Sequence, residues 1–113
     1  MIRNKVTITK VDFKQLEAIH YELEFFAAYV AKTSLINDFL NAIMILDIAQ
    51  GLYFFLRNKL ENNNTMYTIS FSASQAAVIL KCCTWTRTER SIYTNNVMLK
   101  LSFLLDEQLK ALV

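Results

Sequence analysis

The chain has 113 residues, with 12 Lys and Arg against 10 Asp and Glu, and 54% of its residues are apolar. One domain is expected at this length, and such a chain buries roughly two thirds of its unfolded surface, enough for one core without crosslinks. The apolar share excludes a disordered chain, and a net charge of +2 is too small to argue for nucleic acid by itself. That share exceeds the usual ~45–50%, which implies a very dry core or apolar surface kept for a partner.

Proline is absent and Gly51 is the only glycine. Turns that need positive φ are poorly served, and glycine-rich phosphate cradles are ruled out. Long helices joined by short polar links are what remains.

Val6-Thr7-Ile8-Thr9 alternates and reads as a short strand. Thr9 followed by Asp12 then reads as a capping pair, whose hydroxyl and carboxylate serve free backbone N–H groups. A first helix is expected over residues 11–32, with Phe13, Leu16, Ile19, Leu23, Phe26 and Val30 stepping by three and four. A second is expected over residues 35–62, capped by Ser34. It is apolar almost all round and so should be the least exposed element. The Asn62–Thr65 run reads as a loop, and residues 67–71 as a strand. Ser72 with Gln75 is a capping-box pattern that opens a third helix to about residue 86. A fourth follows from about 88 to 112, with Met98, Leu101, Leu105, Leu109 and Leu112 as its stripe.

The two halves match. Val6-Thr7-Ile8-Thr9 with Asp12 parallels Ile69-Ser70-Phe71-Ser72 with Gln75, and two helices follow each. The expected fold is therefore mainly α: a four-helix, bundle-like single domain with a small two-stranded pairing. It would be built from a β-α-α unit used twice, over residues 5–62 and 67–113. The two strands should pair with each other, because a lone strand leaves its backbone groups unsatisfied.

Residues 35–56 are strongly apolar, but Asn37, Asp38, Asn41, Asp47 and Gln50 interrupt them. A charge near the centre of a membrane span costs roughly 2.5–3.5 kcal/mol, so a buried helix is expected there rather than a span. No signal peptide is evident in the first ten residues. Cys82 and Cys83 are adjacent, and a disulfide between neighbours is strained, so reduced core thiols in a cytoplasmic protein are expected.

Candidate chemistry is thin. His20 is the only histidine. Glu17-x-x-His20 has the spacing of half a di-metal carboxylate site, but no second half exists. Cys82 and Cys83 lack the two-to-four-residue spacing usual for zinc and have no second pair. Asp106 and Glu107 are adjacent and point apart on a helix. Asp47 lies in an apolar stretch and would want Arg57, Lys100 or a backbone group. No enzyme activity, metal or cofactor is expected.

The most suggestive segment runs from Trp85 to Tyr93. Trp, Tyr and Arg dominate binding hot spots, and Thr86, Thr88 and Ser91 between them favour an exposed joint. Trp85, Arg87, Arg90 and Tyr93 are thus the expected partner-binding residues. Exchanging both arginines for Glu should leave the melting temperature nearly unchanged. Charge is also uneven. Residues 15–50 hold five acids (Glu17, Glu22, Glu24, Asp38 and Asp47) and one base, whereas residues 51–100 hold six bases and two acids. Glu17, Glu22 and Glu24 suggest an acidic surface, and Lys81 and Lys100 extend a basic one.

The expected function is stoichiometric binding to a protein or nucleoprotein, without catalysis. A concrete version is a phage or mobile-element inhibitor of a host defence system, anti-CRISPR-like. Small size, no catalytic constellation, separated charge and an Asn-, Ile- and Lys-rich composition motivate that version. One alternative is a nucleic-acid-binding module using Lys81, Arg87, Arg90 and Lys100. Another is a structural homodimer with the second helix as its seam.

Overall fold

A computed structural model describes residues 5–85, 87 and 89–112, with backbone only at residue 35. Strand β1 (Val6–Asp12) leads into helices α1 (Phe13–Asn37) and α2 (Phe39–Glu61). Strand β2 (Met66–Phe71) leads into α3 (Ala73–Thr84) and α4 (Ile92–Ala111). The fold is mainly α, with four helices and a two-stranded antiparallel sheet in the order strand, helix, helix, twice over.

The strands pair as their alternation implies. Val6 lies opposite Phe71, Thr7 opposite Ser70, Ile8 opposite Ile69, Val11 opposite Tyr67 and Asp12 opposite Met66. Val6, Ile8, Val11, Tyr67, Ile69 and Phe71 are all buried, because one face of a pleated pair turns to the core. The register slips by one residue between Ile8 and Val11, and there Lys10 takes a φ of 57°. This is a β-bulge, with its extra residue in the left-handed region. Around it the register is symmetric. Exchanging the halves about the Ile8–Ile69 pair maps Val6–Phe71 onto Tyr67–Val11, as a pseudo-twofold axis through the sheet would.

Each strand ends in a reciprocal capping box. The Gln15 N–H donates to the Asp12 carboxylate at 2.8 Å, and the Asp12 N–H donates to Gln15 Oε1 at 3.0 Å. Ser72 and Gln75 do the same at 3.2 and 2.9 Å. The cap of α1 is therefore Asp12 and not Thr9, because the bulge carries β1 three residues further than alternation alone suggests. The Gln108 amide on α4 accepts from the Thr7 N–H at 3.0 Å and donates to the Thr7 carbonyl at 2.8 Å. One side chain thus serves a strand edge that would otherwise stand open.

Leu16, Ile19, Leu23, Phe26 and Val30 of α1 are buried as their spacing requires, whereas Phe13 is 39% exposed. α1 runs past its expected end. Ser34 does not cap α2; it stays helical, and its carbonyl accepts from the Asp38 N–H at 2.7 Å. Asp38 alone separates the two helices, which then run back along each other with His20 stacked on Tyr53 at 4.4 Å. α3 ends at Thr84 and α4 begins only at Ile92, capped by Ser91, whose Oγ accepts from the Thr94 N–H at 3.1 Å.

The expectation for α2 fails. Ala42, Ile45, Ala49, Leu52 and Leu56 are buried, but Phe39, Leu40, Ile43, Met44 and Phe54 are exposed. The molecule is a slab of 41 × 37 × 24 Å, so a helix at its margin has neighbours on one side only. Asp47 is exposed and needs no interior partner, and Arg57 pairs with Glu61 at 3.5 Å. By length and composition α2 is the one described helix apolar enough to cross a membrane, with mean hydropathy 1.7.

Candidate binding face around the α3–α4 joint

Glu22 on α1 is only 2% exposed. A carboxylate taken from water needs partners, and two arginines from the far half of the chain supply them. Arg87 Nη1 donates to one carboxylate oxygen and Arg90 Nε to the other. Arg90 also donates from Nη2 to the Cys82 carbonyl at 2.8 Å and from Nη1 to the Cys83 carbonyl at 3.2 Å. Those carbonyls belong to the last turn of α3, where helical partners run out. Arg90 therefore clasps α1, the end of α3 and the entry to α4 together.

This geometry corrects two expectations. Glu22 is an interior anchor and no part of an acidic surface, which leaves Glu24 exposed and Glu17 half-buried. The Arg90 side chain is 6% exposed and that of Arg87 15%, so the joint is not a loose solvated segment at the arginines. The charge imbalance along the sequence is partly cancelled inside the fold. Thr86 and Thr88 of the expected joint lie outside the described residues.

The other expected residues lie nearby or apart. Trp85 is half-buried, with its ring 4.6 Å from Tyr29 and 5.8 Å from Phe26. Its Nε1 is buried without a partner, as are His20 Nε2 and Tyr67 Oη among the described residues. Tyr93 is exposed, with the Lys14 ammonium 4.4 Å from its ring centre. Lys81 and Lys100 are exposed but line different clefts, Lys81 with Tyr29 and Trp85, Lys100 with Thr9 and Val11. The four bases Lys81, Arg87, Arg90 and Lys100 do not gather into one free patch.

What the sequence reading missed is a row of aromatics on α1. Tyr21, Phe25 and Tyr29 recur every fourth residue and are 52%, 48% and 44% exposed. Arg87 lies over the Phe25 ring at 3.9 Å, and Trp85 supports Tyr29. Their spacing of four is the signal that could have found them, running beside the core stripe from Leu16 to Val30. Tyr21, Phe25 and Tyr29 with Arg87, backed by Trp85, form one face at the α1–joint border.

Among the described residues, no acid–base or nucleophilic chemistry converges there. Burial raises the Cys82 thiol pKa well above its ordinary value, with smaller upward contributions from Cys83 and Glu22. Burial likewise pushes Cys83 up to about 12, against the lowering effect of Arg90. A thiol so placed is a poor source of thiolate. In the folded protein at pH 8, both cysteines are therefore expected to react with a soluble disulfide reagent at least about a hundredfold more slowly than in urea. Equal rates, followed by absorbance, would show that the α3 terminus opens freely. Among the described residues, no three of His, Cys, Asp and Glu converge as a metal site would require.

His20 is buried against Tyr53, and its pKa is lowered from 6.5. Desolvation is the main cause, Arg57 adds to it, and Glu24 and Glu17 oppose it. Below pH 6.5 the unfolded chain takes up a proton that the folded chain still refuses. Stability is therefore expected to fall as pH drops from 6.5 toward the lowered value, and to be intact above it. Melting curves between pH 5 and 8 should show that slope in the wild type and a shallower one in His20→Phe. Parallel slopes would assign the effect to other groups.

The chain matches no protein-family model, no curated protein and no solved structure at a significant level.

Proposed function

We propose that the protein acts by stoichiometric binding to a protein partner through the face made by Tyr21, Phe25, Tyr29 and Arg87. The carrying observation is the row of three half-exposed aromatic rings on one helix. Tyr, Trp and Arg are the side chains that concentrate binding energy, and rings with two torsions lose little entropy when held. Arg87 is already stacked on Phe25 and paired to Glu22, so little ordering is left to do on binding. Trp85 serves as the backing of this face, and Tyr93 with Lys14 as a neighbouring contact.

The finer version is a phage- or mobile-element-encoded inhibitor of a host defence complex, of the anti-CRISPR type. It rests on small size and the absence of a catalytic cluster among the described residues, and it predicts that the partner is a defence effector. Aromatics beside arginine also suit stacked bases, which keeps a nucleic-acid module as the second reading. Protein is favoured because Arg87 and Arg90 already spend their charge on Glu22, while Lys81 and Lys100 lie on separate clefts.

Affinity capture from the native cell, with wild type and Phe25→Ala/Tyr29→Ala as parallel baits, tests the proposal. The expected result is a protein recovered in stoichiometric amount by the wild type and depleted from the variant. Equal recovery by both baits overturns the face. Capture of nucleic acid alone, lost steeply with salt, overturns the protein reading.

A further inference from the structure

We infer that the outer face of α2 is the seam of a dimer of two copies of this chain, packed antiparallel. Leu40, Met44, Asp47, Gly51, Phe54 and Asn58 lie on that face at alternating steps of four and three, and all are exposed. That is the spacing by which one helix meets another along a continuous seam. Phe39 and Ile43 flank it and are also exposed. No residue of the α1 aromatic face is shared, so the two surfaces are independent.

Three observations choose a second copy as the occupant. The first is area. The chain exposes 7272 Å², roughly 900 Å² more than the roughly 6,400 Å² of a compact monomer of its 13.1 kDa. A standard interface removes roughly 800 Å² from each partner.

The second is self-complementarity. Centring an antiparallel pair between Ile48 and Gln50 puts Met44 against Phe54 of the second copy, a favourable sulfur–aromatic contact. It also puts Asp47 over Gly51 of the second copy, where nothing stands within 4 Å of a Cβ position. Leu40 then lies against the aliphatic part of Asn58.

The third is charge order. Asp38 precedes α2, and Lys59, near the helix's other end, stands one position from the residue that faces Asp38 in this register. An antiparallel copy sets acid against base, whereas a parallel copy sets like against like.

Sedimentation of the full chain over a range of concentrations is the first test. The expected result is a reversible monomer–dimer equilibrium. Gly51→Glu, which sets a second carboxylate against Asp47 of the other copy, should raise the dimer dissociation constant at least tenfold, about 1.4 kcal/mol, while keeping the helical circular dichroism signal. The substituted side chain meets open space in the monomer.

Orientation is read by crosslinking. Residues 44 and 54 lie about 15 Å apart along their own helix, too far for a disulfide within one chain. The double variant Met44→Cys/Phe54→Cys should therefore oxidise to a covalent dimer, and each single variant should stay a monomer. Four results overturn the inference: a monomer at every concentration, a dimer indifferent to Gly51→Glu, crosslinking by Met44→Cys alone, and a monomer that instead floats with neutral phosphatidylcholine vesicles.

Discussion

Arg90→Ala is expected to lower the melting temperature by more than about 10 °C, because removing one partner of a buried ion pair costs about 3–5 kcal/mol. Three losses coincide in this variant. The Glu22 carboxylate, 2% exposed, loses its most buried partner, and the Cys82 and Cys83 carbonyls lose the side chain that donates to both. Arg90→Lys should recover little, because an ammonium cannot reach a carboxylate and two carbonyls through one planar fork. Glu22→Met/Arg87→Leu/Arg90→Leu should be less damaging than Arg90→Ala alone, since an apolar cluster leaves no unpaired charge inside. A shift of 2 °C or less in Arg90→Ala, measured by calorimetry, would return Arg90 to solvent and to the candidate contact residues. The same geometry reverses the expectation for the double charge reversal: Arg87→Glu/Arg90→Glu puts three carboxylates together and should unfold the protein.

Phe25→Ala/Tyr29→Ala should do the opposite. Both rings are about half exposed, so their truncation should cost about 1 kcal/mol of stability, including the Arg87 and Trp85 stacking they provide. Partner affinity should fall by about thirtyfold or more, the 2 kcal/mol that marks a hot spot. Equilibrium titration of the captured partner gives the number. The discriminating control is Asn58→Ala, on the α2 face, which should leave heterologous affinity unchanged. A loss under threefold in the aromatic variant would leave these rings as solvated surface.

These two variants also mark where sequence reasoning stopped. Local chemistry was legible. The alternation Val6–Ile8 and Ile69–Phe71 brought the strands together, and Ser72 with Gln75 formed the capping box that its spacing implied. Helical spacing found the buried residues from Leu16 to Val30 and from Met98 to Leu105. Nothing local revealed the bulge at Lys10, which moved the first cap from Thr9 to Asp12, or the single-residue break at Asp38.

The non-local features were out of reach for a physical reason. Glu22 meets Arg87 and Arg90 across 65 and 68 residues of chain, and a one-dimensional charge count sees opposite charges as separated when folding makes them partners. α2 misled in the converse way. Its apolar composition implied burial on all sides, but a margin position in a thin slab covers one side and leaves Phe39, Leu40 and Met44 in solvent. Composition reports how much surface is apolar, and only packing decides which part stays outside.

Site-specific photocrosslinking in the native cell tests the central proposal most directly. A benzophenone amino acid would replace Phe25 in one strain and Glu107, an exposed residue of α4, in another. The expected result from position 25 is one discrete adduct, of the chain plus one other protein, at close to one-to-one stoichiometry. Position 107 should give none. Adducts of equal yield and identity from both positions, or adducts at position 25 made only of nucleic acid or of a second copy of the chain, would contradict binding of a protein partner through the α1 face.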